Sequence, residues 1–382
     1  MRIVADRAIP FLEPCLGDLG ELIAVDARDI EPGRLRDADI LVVRTITRVD
    51  ERLLRGSRVR FVASPASGVD HVDAGYLASA GIGFAHAPGC NARAVAEYVL
   101  SGLFALSAER GFDPARVRAG IIGCGHAGSA LASLLDALGI PHLDCDPPLA
   151  EAGRAGAWCG LAELRNADFI SLHVPLTDSG AHPTRGMVDR EFLSGLREGA
   201  VLVNAARGGV VDERALAGFL ETRPGAACIL DAWEGEPDID VELLRSVDLG
   251  TPHVAGYSLD ARLRAATAVA RATRQYFGLD PDFSAQPLPA PARPEIRIDS
   301  GVPDMEAVRM AVLAAHDIRA DAGRLRPLLD LDAAARPAFF ADLRNNYPVR
   351  REFTAYTVRV PAGKKGLERL LGGLGFRVRR AE

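Results

Sequence analysis

The 382-residue chain carries no disulfide or zinc signature. Its six cysteines (Cys15, Cys90, Cys124, Cys145, Cys159 and Cys228) are scattered with no C-x-x-C, and its eight histidines show no metal-ligand spacing. That pattern fits reduced, mostly buried thiols in a cytosolic protein rather than a disulfide framework or a zinc site. Long apolar runs are missing as well. The longest, Ala94 to Ala108, contains Glu97 and is too short to span a bilayer, so a buried core helix is expected there. Met1 runs directly into Arg2-Ile3-Val4-Ala5-Asp6, a short strand rather than a charged-then-apolar leader, and the expected location is the cytoplasm. The net charge of −6 weighs against a nucleic-acid binder, which shows a basic footprint. Aromatic residues make up only 6%, and lysine is scarce beside arginine. From Pro287 onward basic residues outnumber acidic ones, which suits a solvated or intersubunit surface, or an anionic substrate.

What remains is ordinary globular material, 48% hydrophobic and 25% charged, in a chain long enough for two or three domains. Short β-type runs alternate with helical stretches through the first 255 residues, the pattern of an α/β fold with parallel sheets. Ile3–Ala5, Ile40–Val43 and Phe61–Ala63 read as strands of a first series. Ala92 to Ala108 reads as a long helix that Asn91 can cap, with Val95, Val99, Leu103 and Leu106 on one apolar face. A second series predicts strands at Gly120–Ile122, His142–Cys145, Phe169–His173, Ala200–Asn204 and Cys228–Asp231, ends near Thr251–Val254, and leads into a helix from Leu259 to about Phe277. The proline-rich stretch Gln286–Pro294 reads as an extended linker. A small α+β domain follows, with strands at Thr354–Val360 and Phe376–Arg379 and a helix at Gly366–Leu371 between them.

Gly123-Cys124-Gly125-His126-Ala127-Gly128 follows a hydrophobic strand and opens a helix. Alone, such a glycine pattern is a weak signal. In this setting one glycine makes the tight turn, one lets the backbone approach a pyrophosphate, and one lets helix and strand pack closely. The helix start at His126 and Ala127 supplies N–H groups and a partial positive charge for the phosphates. Asp146 follows the next strand, where a carboxylate binds a ribose 2′-hydroxyl and repels a 2′-phosphate, so NAD is expected over NADP. The bland reading of Asp146 is a cap before Pro147-Pro148.

Arg207, Glu236 and His253 fall after three consecutive strands of the second series, and ligands in such folds bind at strand carboxyl ends. Oxidising a secondary alcohol needs a base, and an imidazole titrates near neutrality. Glu236 is suited to orient that imidazole, and Arg207 offers a planar fork for a carboxylate. Singly, each is more simply a surface arginine, a solvated glutamate or a turn-capping histidine. It is their joint placement beyond a dinucleotide loop that points to chemistry.

Asn204-Ala-Ala-Arg-Gly-Gly-Val-Val-Asp212, Asp231-Ala-Trp-Glu-Gly-Glu-Pro237 and Thr251-Pro-His253 resemble the signatures of the D-isomer-specific 2-hydroxyacid dehydrogenases. The resemblance covers roughly residues 1–280 and implies an NAD-dependent oxidation with Arg207, Glu236 and His253 as the catalytic set. It also implies two Rossmann-like lobes: a substrate lobe formed by 1–92 and 257–286, and an inserted NAD lobe at 93–256. Val43-Arg44-Thr45-Ile46-Thr47, Asp70-His71-Val72-Asp73, Ala87-Pro-Gly-Cys-Asn91, His253-Val-Ala-Gly-Tyr-Ser258 and Asn346-Tyr-Pro-Val-Arg-Arg-Glu352 are similar to a branch acting on a four-carbon, 4-phosphorylated hydroxy acid on the route to pyridoxal 5′-phosphate. In that branch a C-terminal domain, here 287–382, serves homodimerisation.

By motif position the branch implies substrate contacts at Thr45 and Tyr257, and NAD contacts at Asp146, Asp231 and Gly256, with Ala205, Ala206 and Arg207 along the nicotinamide side. Relatives have a hydroxyl residue where this chain has Ala66, so that contact moves to Ser67 or to backbone N–H groups such as that of Gly68. They have threonine where this chain has Val174 on the cofactor side. A phosphorylated substrate needs cations; Arg44 is the first candidate and Arg350 or Arg351 the second, the alternative for the pair being a surface ion pair with Glu352. Two other readings stay open: a phosphoglycerate dehydrogenase-like enzyme with a regulatory C-terminal domain, and an NAD-sensing binding protein with little turnover.

Overall fold

A computed structural model describes residues 1–283 and 287–380; Gln286, the start of the expected linker and the end of the expected substrate lobe, lies outside them. The chain divides into two units, Met1–Asn91 with Ser258–Pro289, and Ala92–Tyr257 with the residues from Ala290 onward.

The first unit is built on five parallel strands: β1 Arg2–Asp6, β2 Glu21–Val25, β3 Ile40–Val42, β4 Phe61–Ser64 and β5 Gly83–His86, in the order β2-β1-β3-β4-β5. The central strands are buried along their length, which is why they read as unbroken apolar runs. The edges β2 and β5 are half-exposed and escaped the sequence reading. On one face the helix Leu259–Tyr276 buries Ala265, Ala266, Val269 and Ala270 against Ile3, Ile40 and Phe61. Ser258 starts that helix by accepting from the Ala261 N–H at 2.9 Å.

The second unit holds a six-stranded parallel sheet. Its strands are β6 Ala119–Ile122, β7 His142–Cys145, β8 Phe169–Leu172, β9 Val201–Asn204, β10 Ala227–Leu230 and β11 Leu249–Gly250, in the order β11-β10-β9-β8-β6-β7. All five strands expected in the second series are present, within about a residue at each end. The chain reverses its direction of winding beside β6, the switch point at which open α/β sheets bind ligands.

The helix Ala92–Arg110 begins where expected but is not amphipathic. It is buried all round from Ala94 to Ser107, including Glu97 and Ser101. It packs against the helix His126–Leu138 and against the helices Asp304–Ala315 and Ile318–Leu325 of the C-terminal residues, within one buried cluster. Those residues carry a third sheet, β12 Glu295–Arg297, β13 Thr357–Val360 and β14 Arg377–Arg380, whose strands also run parallel. The strand expected from Thr354 begins at Thr357, because Phe353–Ala355 forms a single 3-10 turn. Among the described residues, no helix is long and apolar enough to cross a membrane and no cluster of side chains could hold a metal.

Candidate active site

The glycine loop between β6 and the helix His126–Leu138 has the shape its residues require. Gly123 sits at φ +89°, and a Cβ there would lie 2.8 Å from the His173 carbonyl carbon and from a methyl of Val174. A Cβ on Gly128 would fall 2.0 Å from the Gly123 carbonyl oxygen, whereas one on Gly125 would meet nothing within 4 Å. Gly125 is the N-cap, and no side chain caps the first N–H groups of the helix at His126 and Ala127. Such a loop has the shape and donors that suit a pyrophosphate, and the residues fit NAD.

Asp146 stands just past β7. Its carboxylate accepts from the Cys124 N–H at 2.7 Å and from the Leu149 N–H at 3.0 Å. It therefore braces the glycine loop and caps the short helix Pro147–Glu151. The capping reading and the ribose reading are compatible, since a carboxylate has acceptor capacity beyond two bonds.

Three adjacent strands, β9, β10 and β11, deliver the loops of Arg207, Glu236 and His253. Asn204 ends β9; its side-chain amide donates to the carbonyls of Arg207 at 3.0 Å and Ala232 at 3.2 Å, while its oxygen accepts from the Ala206 N–H at 3.1 Å. One buried side chain thus ties the Ala205–Arg207 loop to the Glu236 loop. Gly208 permits the same approach: a Cβ there would lie 1.9 Å from the Trp233 carbonyl oxygen.

The His253 ring places Nδ1 at 2.8 and 3.0 Å from the two Glu236 carboxylate oxygens. Glu236 also accepts from the Trp233 N–H at 2.8 Å. Burial pushes its carboxyl up, but the His253 charge and hydrogen bond, the Trp233 N–H and the Arg344 charge together hold it below the ordinary glutamate value. The carboxylate is ionised at neutral pH. His253 itself has φ +56°, a backbone region costly for a side-chain-bearing residue and concentrated at functional sites.

Asp231, expected at the cofactor, is 1% exposed and accepts from the Thr251 hydroxyl and Val254 N–H at 2.7 Å and from the Ala255 N–H at 2.9 Å. It fixes the loop that carries His253 and Gly256. A second imidazole, His173 after β8, serves as a contrast. Burial alone pushes it down to about 4, and its described partner is the Ser171 hydroxyl at 2.9 Å. It stays neutral, and among the described residues no carboxylate hydrogen-bonds to it, whereas His253 has Glu236.

Of the expected substrate residues, Tyr257 closes the second unit, while Arg44, Thr45, Ser67 and Gly68 belong to the first. Arg44 follows β3 and its Nε lies 2.7 Å from the buried Asp6 carboxylate. Thr45 is exposed, and the Ser67 hydroxyl accepts from the Gly89 N–H at 3.3 Å. Arg350 is not a surface residue, and its guanidinium is already engaged. It is 6% exposed and donates to the carbonyls of Ala94 and Ala255 at 2.7 Å and of Val254 at 3.4 Å. Arg344 was missed by the sequence reading. It sits in the last turn of the helix Arg336–Asn345 and donates to the Tyr257 hydroxyl at 3.1 Å; no motif flags it.

The glycine cradle and the strand-end residues define an NAD-binding dehydrogenase of the D-2-hydroxyacid class, and residues 90–255 match the family model described as "D-isomer specific 2-hydroxyacid dehydrogenase, NAD binding domain". Residues 287–375 match a domain of unknown function. The fold resembles the NAD-bound 3-phosphoglycerate dehydrogenase of Entamoeba histolytica (TM-score 0.61, 23% identity, 73% of this chain and 95% of that one). It also resembles the D-lactate dehydrogenase of Aquifex aeolicus (0.57, 24%, 72% and 96%). Two erythronate-4-phosphate dehydrogenases are similar nearly end to end. That of Hahella chejuensis is 42% identical over 98% of this chain and 99% of its own, and that of Azotobacter vinelandii is 43% identical over the same shares. The chain belongs to the erythronate-4-phosphate dehydrogenase family.

Proposed function

We propose that this enzyme oxidises 4-phospho-D-erythronate at C2 to 3-hydroxy-2-oxo-4-phosphooxybutanoate, a step toward pyridoxal 5′-phosphate. The observation that carries the reading is the His253–Glu236 pair at the strand ends of the same sheet as the glycine loop, in a chain similar over its whole length to erythronate-4-phosphate dehydrogenases. NAD, when bound, accepts the C2 hydride. His253 takes the hydroxyl proton. With Nδ1–H donating to Glu236, the lone pair lies on Nε2, the nitrogen available to the substrate. The ionised Glu236 fixes that orientation and stabilises the imidazolium. Arg207 holds the substrate carboxylate and polarises the forming carbonyl.

Within this proposal 1–92 and 257–286 form the substrate lobe, with Arg44, Thr45, Ser67, Gly68 and Tyr257 at the substrate. Residues 93–256 form the NAD lobe, with His126, Ala127, Val174, Ala205, Ala206, Asp231 and Gly256 along the cofactor. Residues 287–382 support a homodimer, and the enzyme works in the cytoplasm. The test is NADH formation on a panel of 4-phosphoerythronate, 3-phosphoglycerate, D-erythronate and D-lactate. Preference for either of the last two over 4-phosphoerythronate would overturn the substrate assignment, and preference for 3-phosphoglycerate would move it to the neighbouring class. Sedimentation at micromolar concentration checks the dimer.

A further inference from the structure

The two structural neighbours named above cover 73% and 72% of this chain, whereas the two erythronate-4-phosphate dehydrogenases named there cover 98% of it. The difference is the size of the C-terminal segment, which matches a domain to which no function is assigned. In this structure that segment reaches the catalytic pair. Arg344 places NH1 3.9 Å from the Glu236 carboxylate, too far for a hydrogen bond, and its guanidinium lies over the Tyr257 ring at 5.7 Å. Its side chain is 21% exposed. Among the described residues it makes one hydrogen bond, to the Tyr257 hydroxyl, and its buried Nε has no acceptor.

A guanidinium has five donors, and removing a cation from water is costly unless those donors are met. Glu236 does not meet them, because its oxygens already accept from His253 and Trp233. The geometry is also not an accident of a floppy side chain. The segment is anchored by Arg350 through the carbonyls of Ala94, Val254 and Ala255. Tyr347 packs edge-on against Tyr257 and donates to Asp321 at 2.8 Å. An under-bonded cation thus lies 3.9 Å from the carboxylate that orients His253.

We propose that Arg344 takes the substrate's phosphate, so that the C-terminal segment completes the active site and sets its preference for a phosphorylated acid. The inference rests on the functional reading above. Arg207 holds the carboxylate at one end of the four-carbon chain. The phosphate is four bonds from C2 at the other end and needs a second cation. Arg344 supplies a planar fork for phosphate oxygens, and Tyr257 orients the fork from behind.

The experiment compares kcat and KM for 4-phosphoerythronate and for unphosphorylated D-erythronate in wild type, Arg344→Gln and Arg344→Lys. NADH binding by fluorescence certifies each variant as folded, and inorganic phosphate serves as a competitive probe. For Arg344→Gln, KM for the phosphorylated acid is expected to rise ~10–100-fold, the size of a lost charge-assisted contact. A clearly smaller change is expected for D-erythronate, which feels only the loss of the Arg344 charge beside Glu236, and inhibition by phosphate should weaken in parallel with the rise in KM. Arg344→Lys, charged but without the fork, should fall between. An equal fall in kcat/KM on both substrates would mean that Arg344 acts only through Glu236 or Tyr257, and that overturns the proposal. So does an unchanged KM. Failure of the wild type itself to prefer 4-phosphoerythronate would instead sink the functional reading beneath it.

Discussion

Glu236 and His253 are 17 residues apart in sequence and 2.8 Å apart in space, carboxylate to Nδ1. The contact exists because β10 and β11 are neighbours and their following loops meet. His253→Ala is expected to lower kcat by ~10²–10⁴, the usual worth of a positioned general base, with NADH affinity retained. Glu236→Gln keeps the shape but loses the charge, and kcat should fall by ~10²-fold or more. Steady-state kinetics beside a fluorescence titration check both. Because the folded Glu236 value lies below the ordinary one, its stabilising contribution is present above the ordinary carboxylate range and is lost as pH falls below it.

Glu97 runs the other way. It is 1% exposed on the central helix, 2.6 Å from Arg93 and 3.1 Å from the Phe353 N–H. Burial nevertheless pushes its carboxyl up to about 8. A raised acid binds its proton more tightly folded than unfolded, so its stability contribution is complete below the ordinary glutamate value and is lost as pH rises to about 8. Tm should therefore decline over that window, and Glu97→Gln should flatten the decline. An identical pH profile in the variant would refute the assignment.

Gly128→Ala tests the cradle. Its methyl would sit 2.0 Å from the Gly123 carbonyl oxygen, a backbone atom that cannot rotate away. The glycine loop must open, and NADH affinity should drop at least ~10-fold. Gly125→Ala is the control on cofactor contact: nothing of the protein lies within 4 Å of the new methyl, so Tm should hold while NADH binding weakens.

Replacement of Asp146 probes cofactor choice. Asp146→Asn keeps one of the two oxygens that accept from the Cys124 and Leu149 N–H groups and removes the charge that repels a 2′-phosphate. The ratio of kcat/KM for NAD to that for NADP should narrow by ~10-fold, an effect of about 1.4 kcal/mol. An unchanged ratio would show that Asp146 only braces the loop.

Arg350→Ala should be among the most destabilising single changes. It leaves the carbonyls of Ala94, Val254 and Ala255 without this donor, at roughly 1–3 kcal/mol for a carbonyl left with no other; the Val254 carbonyl still accepts from the Tyr257 N–H. Urea unfolding measures the loss, and kcat should fall with it because two of those carbonyls belong to the His253 loop.

Much of this was written in local sequence. The β6 strand, the glycines at 123, 125 and 128, and Asp146 lie within 30 residues of one another, and the strand–turn–helix they form depends on backbone conformations that neighbours dictate. The central strands were legible because burial on both faces leaves apolar runs. The edges β2 and β5, half-exposed, carry no such run. The helix Ala92–Arg110 was expected with one apolar face because a single sequence does not reveal a layer of C-terminal residues arriving on its other side.

Sequence alone determined the parts whose reason is local: a turn that only glycine can make, a helix start left open for phosphate, and a histidine, a glutamate and an arginine each placed after a strand. The tertiary structure decided which charges face which. It engaged Arg350 with backbone carbonyls and brought Arg344, 91 positions beyond His253, to the edge of the catalytic pair. Electrostatic attraction acts through space over a few ångströms, and separation along the chain does not measure that distance.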